Sequence, residues 1–151
     1  MDVAKYKIDR GIKIARSHIV PNPWNPNELD ARTNEALDES LEDYGQIYAI
    51  LVRPLGDRYQ IIDGYHRFIK IKAQEIYCDI IYKLGDNDAK KLTIQLNETR
   101  GKAEPGKLAK LINDLRTKMN ESELRRGLPF DEAHFADLRS RAEELRKGFK
   151  P

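Results

Sequence analysis

The chain has a single cysteine, Cys78, so neither an intrachain disulfide nor a cysteine-built zinc site can form, and a structural cysteine within a strand is the expectation. Three histidines, His18, His66 and His134, without cysteine partners give no basis for a zinc site either. No stretch approaches the ~18 consecutive apolar residues of a membrane span. The opening MDVAKYKIDRGIKIARS lacks the apolar core of a signal peptide, and a cytoplasmic protein is expected. An excess of one charge is missing too: 27 Lys and Arg face 25 Asp and Glu, a net +2. Composition alone therefore gives no mandate for a polyanion partner. Internal repeats and low-complexity tracts are absent from the sequence.

Present instead are 151 residues, 40% hydrophobic and 34% charged, enough for one well-cored domain with an appendage. Charge is unevenly shared. Residues 1–100 carry 15 basic and 16 acidic side chains, residues 101–151 carry 12 and 9, so the tail permits a polyanion such as DNA.

The β-branched run at 12–20 predicts a strand leading into a rigid loop, PNPWNPN, which can continue neither helix nor ladder. Ala36, Leu37, Leu41 and Tyr44 recur at helical spacing, predicting a helix that starts between Asp30 and Thr33 and ends at Gly45. AILVRP (49–54), the LGDR turn and RYQIID form a hairpin. A helix to about Gln74 follows, then a strand at 76–84 and a helix capped by Asp86 or Asp88 and closed by Gly101. Beyond it the pattern is helical. Pro105 suits a first turn, Leu108, Leu111, Ile112, Leu115 and Met119 form a stripe, and Asn120 with Glu123 reads as a capping box for a short helix ending at Gly127. Asp131 caps a last helix with Phe135, Leu138, Ala142, Leu145 and Phe149 on one side. The expected fold is α+β: a small mixed sheet with flanking helices over 1–101, then a helical appendage over 102–151 for oligomerisation or DNA contact.

At the junction of hairpin and helix stands IDGYHRF, residues 62–68. In one reading Asp63 caps the helix and Gly64 makes the turn. In the other, Gly64 lets backbone approach a ligand, the helix start offers free N–H groups to phosphate, and His66 and Arg67 add charge-assisted hydrogen bonds. Similar polar clusters end other elements: NPWNPN, YGQIY and LNETRGK. Their convergence would suit a phosphate-bearing ligand.

The order IVPNPWNPN, LDESLEDYGQIYAILVRP, GDRYQIIDGYHRFIKIKAQ and LNETR resembles the N-terminal domain of ParB-family partition proteins and their sulfiredoxin-fold relatives, from about residue 12 to 101. The segment GQIYAILVRP, the G-x-x-R loop GYHR and the N-x-x-R of NETR carry the resemblance. It implies a nucleotide pocket for a nucleoside triphosphate, CTP or ATP, with Mg2+. Gly64 and Arg67 match the phosphate loop, with Tyr65 and His66 between them, and Asn97 and Arg100 match the helix motif. Gly45 and Gln46 would lie near the base or sugar. Two positions depart from the pattern. The metal-binding glutamate of the family's helix motif is Leu96 here, and Glu98, two residues on, points about 200° away. Ala49 stands where a proline is usual.

Sulfiredoxins carry a reactive cysteine in this loop, and Tyr65 at that position excludes sulfinic-acid repair. Free serine kinases of the same fold have a D-G-H-H-R loop that Asp63, Gly64, His66 and Arg67 match, and Asp63 would there accept a hydroxyl proton or bind magnesium. ATP- or ADP-dependent phosphotransfer, and a weak ParB-like ATPase or nuclease, are the alternatives to the favoured reading, a nucleotide-dependent, DNA-associated switch. In the appendage, Arg125 and Arg126 belong to a basic cluster that one side could offer to DNA phosphates, and the outline over 120–147 is that of a helix-turn-helix. Glu132, His134 and Asp137 at the start of its second helix argue against base reading. The apolar seam suits packing or a homo-oligomer.

Overall fold

The computed structural model describes Val3 and residues 5–148, so Phe149 lies outside the described residues. They fall into two compact units: those up to Glu28 with Tyr44–Arg100, and Leu29–Asp43 with those from Gly101 onward.

The first unit is built on a five-stranded mixed sheet in the order β1-β5-β3-β4-β2. β1 (Ile8–Ala15) and β2 (Ile19–Val20) are its edges; β3 (Ile50–Leu55), β4 (Arg58–Asp63) and β5 (Glu75–Ile81) its middle. β3 pairs antiparallel with β4 through the tight turn at Gly56, and parallel with β5, as a crossover between them requires. Both sheet faces are covered. Ile50, Val52, Ile61, Ile76, Cys78 and Ile80 form one apolar cluster with Phe68 of α2 (Tyr65–Lys70). Ile62 and Ile81 turn to the opposite face with Leu84 and Ala89 of α3 (Asp86–Glu98) and its approach. Adjacent Ile61 and Ile62 can both be buried because successive side chains of a strand point to opposite faces.

Several expected boundaries move, some for tertiary and some for local reasons. The first strand starts at Ile8, bulges at Gly11, whose N–H donates to Asp79 Oδ1 (2.9 Å), and breaks into a 3-10 turn at Arg16–His18 before β2. α2 stops at Lys70 rather than Gln74, since Arg16, 52 residues earlier, takes the Phe68 carbonyl (2.9 Å) and also that of Ile71. β5 ends at Ile81, before Lys83 adopts φ 60°. Gly85 is the N-cap of α3, not Asp86 or Asp88. Asp86 instead receives Arg53, a buried arginine that also bonds Gln60 and the Leu84 carbonyl. Thr99 rather than Gly101 closes α3, its hydroxyl donating to the Gln95 carbonyl at 2.6 Å.

The second unit is helical: α1 (Ala31–Tyr44) as far as Asp43, α4 (Pro105–Arg116), α5 (Glu121–Arg125) and α6 (Glu132–Gly148). Asp30, Glu104, Asn120 and Asp131 accept first-turn N–H groups at the four helix starts. Pro105 occupies the first turn of α4, where its missing N–H costs nothing. Ala109, Ile112, Leu124, Phe135 and Leu138 make the core.

Candidate functional site

β4 ends in Asp63, and Gly64 follows at φ +105°, a conformation open to glycine. The chain passes close there: a Cβ on Gly64 would lie 2.8 Å from Ile50 Cδ1 and 3.0 Å from an Arg67 guanidinium nitrogen. Gly64 thus sets α2 against β3 and brings Arg67, four residues after Asp63, back toward the strand end. Arg67 donates to the Tyr48 carbonyl (2.9 Å) and lies over the Tyr48 ring, 5.7 Å from its centroid. Its guanidinium sits 3.7 Å from Asp63.

Arg100, just past α3, reaches the same carboxylate and donates to both Asp63 oxygens at 2.7 and 2.8 Å. Two cations therefore face one anion, leaving an excess of one positive charge. Burial lowers the Arg67 pKa, Asp63 draws it up, and the Arg100 charge pushes it down again. Arg67 stays cationic nonetheless. Its side chain is 19% exposed and that of Arg100 57%, so one cation is largely buried and the other stands open to solvent.

The remaining predicted residues are distributed as follows. Tyr65 packs against the first core cluster, and His66 Nε2 donates to the Asn27 carbonyl (3.0 Å), tying the NPWNPN loop to the GYHR loop. Their side chains are thus committed within the fold. α2 has six residues, so it contributes little dipole, and the guanidiniums are the main source of positive potential. Gly45, at φ 73°, turns the chain out of α1, and Gln46 lies along the edge of β5: its amide donates to the Tyr77 carbonyl (2.8 Å) and accepts the Tyr77 N–H (3.0 Å). Asn97 is half-buried, one turn beyond Thr93, whose hydroxyl lies on the Ile62 carbonyl at 3.3 Å. Residues four apart share a helix face, which turns Asn97 toward the end of β4.

Two residues outside the expected set also stand here: Tyr48 and Tyr77, exposed aromatics at 74% and 45% beside Arg67 and Gln46. Only the second tyrosine of YGQIY, too polar a segment for a core strand, could have signalled the first; the pairing of Gln46 with Tyr77 spans 31 residues.

A protein-held magnesium does not fit. Asp63 is the carboxylate of the cluster and both its oxygens are taken by Arg100, while Leu96 packs on the second apolar cluster and Glu98 is exposed. Among the described residues no group of three or more His, Cys, Asp or Glu could hold a metal ion. Cys78 is buried, and burial pushes its thiol up to about 12, a value that suits a core residue and no nucleophile.

In the helical unit, Arg125 bonds Glu121 at 2.8 Å and also Glu132, and lies over the Phe135 ring. Arg126 bonds Asp43 and Glu42 at 2.8 Å and approaches Glu39. A DNA phosphate would have to displace these carboxylates. No described helix is long and apolar enough to cross a membrane.

A model of the ParB N-terminal domain matches residues 3–99. No curated protein matches the sequence at a significant level. Among solved structures, the C-terminally truncated chromosome-partitioning protein ParB from Caulobacter crescentus, complexed with CTP-γ-S, aligns with a TM-score of 0.71 at 20% identity, covering 91% of this chain and 82% of that one. The pNOB8-like ParB N-domain aligns with a TM-score of 0.51 at 16% identity, over 97% of this chain and 62% of that one. At such identities the likeness establishes the fold alone. The family match, however, spans well over half of the sequence, and the chain belongs to the ParB N-terminal domain family.

Proposed function

We propose that this chain is a nucleotide-binding, partition-type protein in which Arg67 and Arg100 hold the phosphates of a nucleoside triphosphate. The observation that carries the reading is the convergence of two guanidiniums on one carboxylate at the end of β4, beside a glycine whose φ is +105°. Planar guanidiniums match phosphate oxygens in pairs, and an excess positive charge on one buried and one exposed arginine favours a polyanion. The CTP-γ-S held by the Caulobacter crescentus neighbour supports a cytidine nucleotide. The exposed Tyr48 ring offers a base or ribose a flat surface near Gly45 and Gln46. Asn97 adds an amide from α3. The α/β residues within 1–101 would form the nucleotide module, and 102–151 would face DNA or a second copy of the chain.

Phosphotransfer of the kinase type is the second reading. It draws on the position of Asp63 at the loop, but needs that carboxylate free of Arg100 to accept a hydroxyl proton.

Calorimetric titration with CTP, ATP, ADP and GTP, with and without magnesium, tests the proposal. Micromolar binding is expected, with CTP preferred, and Arg67→Ala and the better exposed Arg100→Ala each reduce it at least tenfold. Absence of binding by all four nucleotides sinks the phosphate reading and leaves the fold as an interaction scaffold. Turnover with ADP or ATP and a hydroxylated substrate, abolished in Asp63→Asn with binding spared, would favour the kinase.

A further inference from the structure

We propose that Asp63 is a built-in competitor for the ligand's phosphate: it pairs with Arg100, must be displaced for phosphate to take that guanidinium, and so sets the affinity of the site. The inference rests on the phosphate reading above and adds a role for the one group in the cluster whose charge opposes it.

Arg67 and Arg100 are held differently. Arg67 is fixed by backbone, donating to the Tyr48 carbonyl at 2.9 Å and approaching that of Ala49 at 3.4 Å, whereas Asp63 lies 3.7 Å away, outside hydrogen-bonding distance. Removing Asp63 would leave it in place. Arg100 has no such anchor. Its guanidinium is hydrogen-bonded to Asp63 alone among the described residues, at 2.7 and 2.8 Å, and the side chain stands 57% exposed beyond the last turn of α3. A carboxylate presents two oxygens to a guanidinium much as a phosphate does, so the two anions compete for the same donor.

Two costs follow for an incoming phosphate. It must replace the carboxylate on Arg100, and it must then lie beside an ionised Asp63, whose charge the fixed Arg67 only partly offsets. Both costs disappear when the side chain is neutral. A partly exposed ion pair contributes up to about 1 kcal/mol, which corresponds to a factor of roughly five in affinity. Asp63→Asn keeps the shape and is expected to bind tripolyphosphate and CTP about 3- to 10-fold more tightly than the wild type.

The test is a double-mutant cycle read by calorimetry, with wild type, Asp63→Asn, Arg100→Ala and the double variant titrated with tripolyphosphate and with CTP. A gain in Asp63→Asn that shrinks in the Arg100→Ala background supports competition for Arg100. Unchanged or weaker binding by a folded Asp63→Asn protein overturns it. So does a gain of equal size in both backgrounds, which would reflect charge removal without release of Arg100. In the wild type, the 13C shift of the Asp63 carboxyl provides a measure free of any folding defect: it moves on saturation with tripolyphosphate, and a static signal overturns the proposal. If neither the wild type nor any variant binds either ligand, the phosphate reading itself has failed, an outcome distinct from binding that ignores Asp63.

Discussion

At Gly64 the backbone stands at φ +105°, and the space where a side chain would begin is filled by Ile50 Cδ1 at 2.8 Å and an Arg67 nitrogen at 3.0 Å. Gly56, in the β3–β4 turn, also has positive φ, but nothing lies within 4 Å of its missing Cβ. The pair separates backbone strain from crowding. Gly56→Ala carries strain alone, about 1–3 kcal/mol, and leaves nucleotide affinity unchanged. Gly64→Ala adds to a comparable strain the displacement of either the Ile50 methyl, in a fully buried side chain, or the Arg67 guanidinium. Thermal melts should therefore fall for both variants and further for Gly64→Ala. Titration with CTP should lose tenfold or more for Gly64→Ala only. Equal affinity losses would mean that the turn, rather than the placement of Arg67, governs the site.

Among the elements, α1 has little apolar anchoring: Ala36 is its one buried side chain among the described residues. Charge holds it within the helical unit. Arg126 bonds Asp43 and Glu42, Glu39 accepts the Gly127 N–H (3.1 Å), and Arg32 bonds Glu39 and the Arg125 carbonyl. The Arg126 pairs with Glu42 and Asp43 are partly solvated, so their strength falls with salt. Arg126→Ala is expected to raise hydrogen exchange in α1, more so at low ionic strength where the wild-type pairs are strongest, while β3, β4 and β5 keep their protection. Unchanged exchange in α1 would show that Arg32 and Ala36 suffice. The same pairs explain what sequence could not reveal. Helix, hairpin, loop, helix, strand and helix follow from local periodicity, glycines and caps, and both Arg67 and Arg100 follow from short motifs. By contrast, the early stop of α2 depends on Arg16, and the engagement of Arg126 depends on acids 83 and 84 residues away. The tie between Asp63 and Arg100 spans 37 residues. No local pattern carries such partners.

For the whole molecule, the apolar clusters divide along the same lines as the two units. Ile50, Ile61, Ile76 and their neighbours belong to the sheet, Phe135, Leu138 and Ile112 to the helices, and no residue appears in both sets. Cooperativity follows shared packing, so each set should open as its own unit in native-state hydrogen exchange. Leu138 is 2% exposed, and Leu138→Ala should cost the helical unit about 2–5 kcal/mol. Amides of α4 and α6 should then exchange faster by the corresponding factor, whereas those of β3 and β5 should keep wild-type rates. Ile76→Ala, at a fully buried strand position, should do the reverse. Saturating nucleotide adds a third arm: a ligand bound at Arg67 and Arg100 protects the unit that holds them, by an amount set by its concentration relative to Kd. Protection confined to the sheet unit would place ligand and helices under separate control. Protection that spreads to α4 and α6 would mean that nucleotide binding is transmitted to the helical unit, the coupling a nucleotide-dependent switch requires.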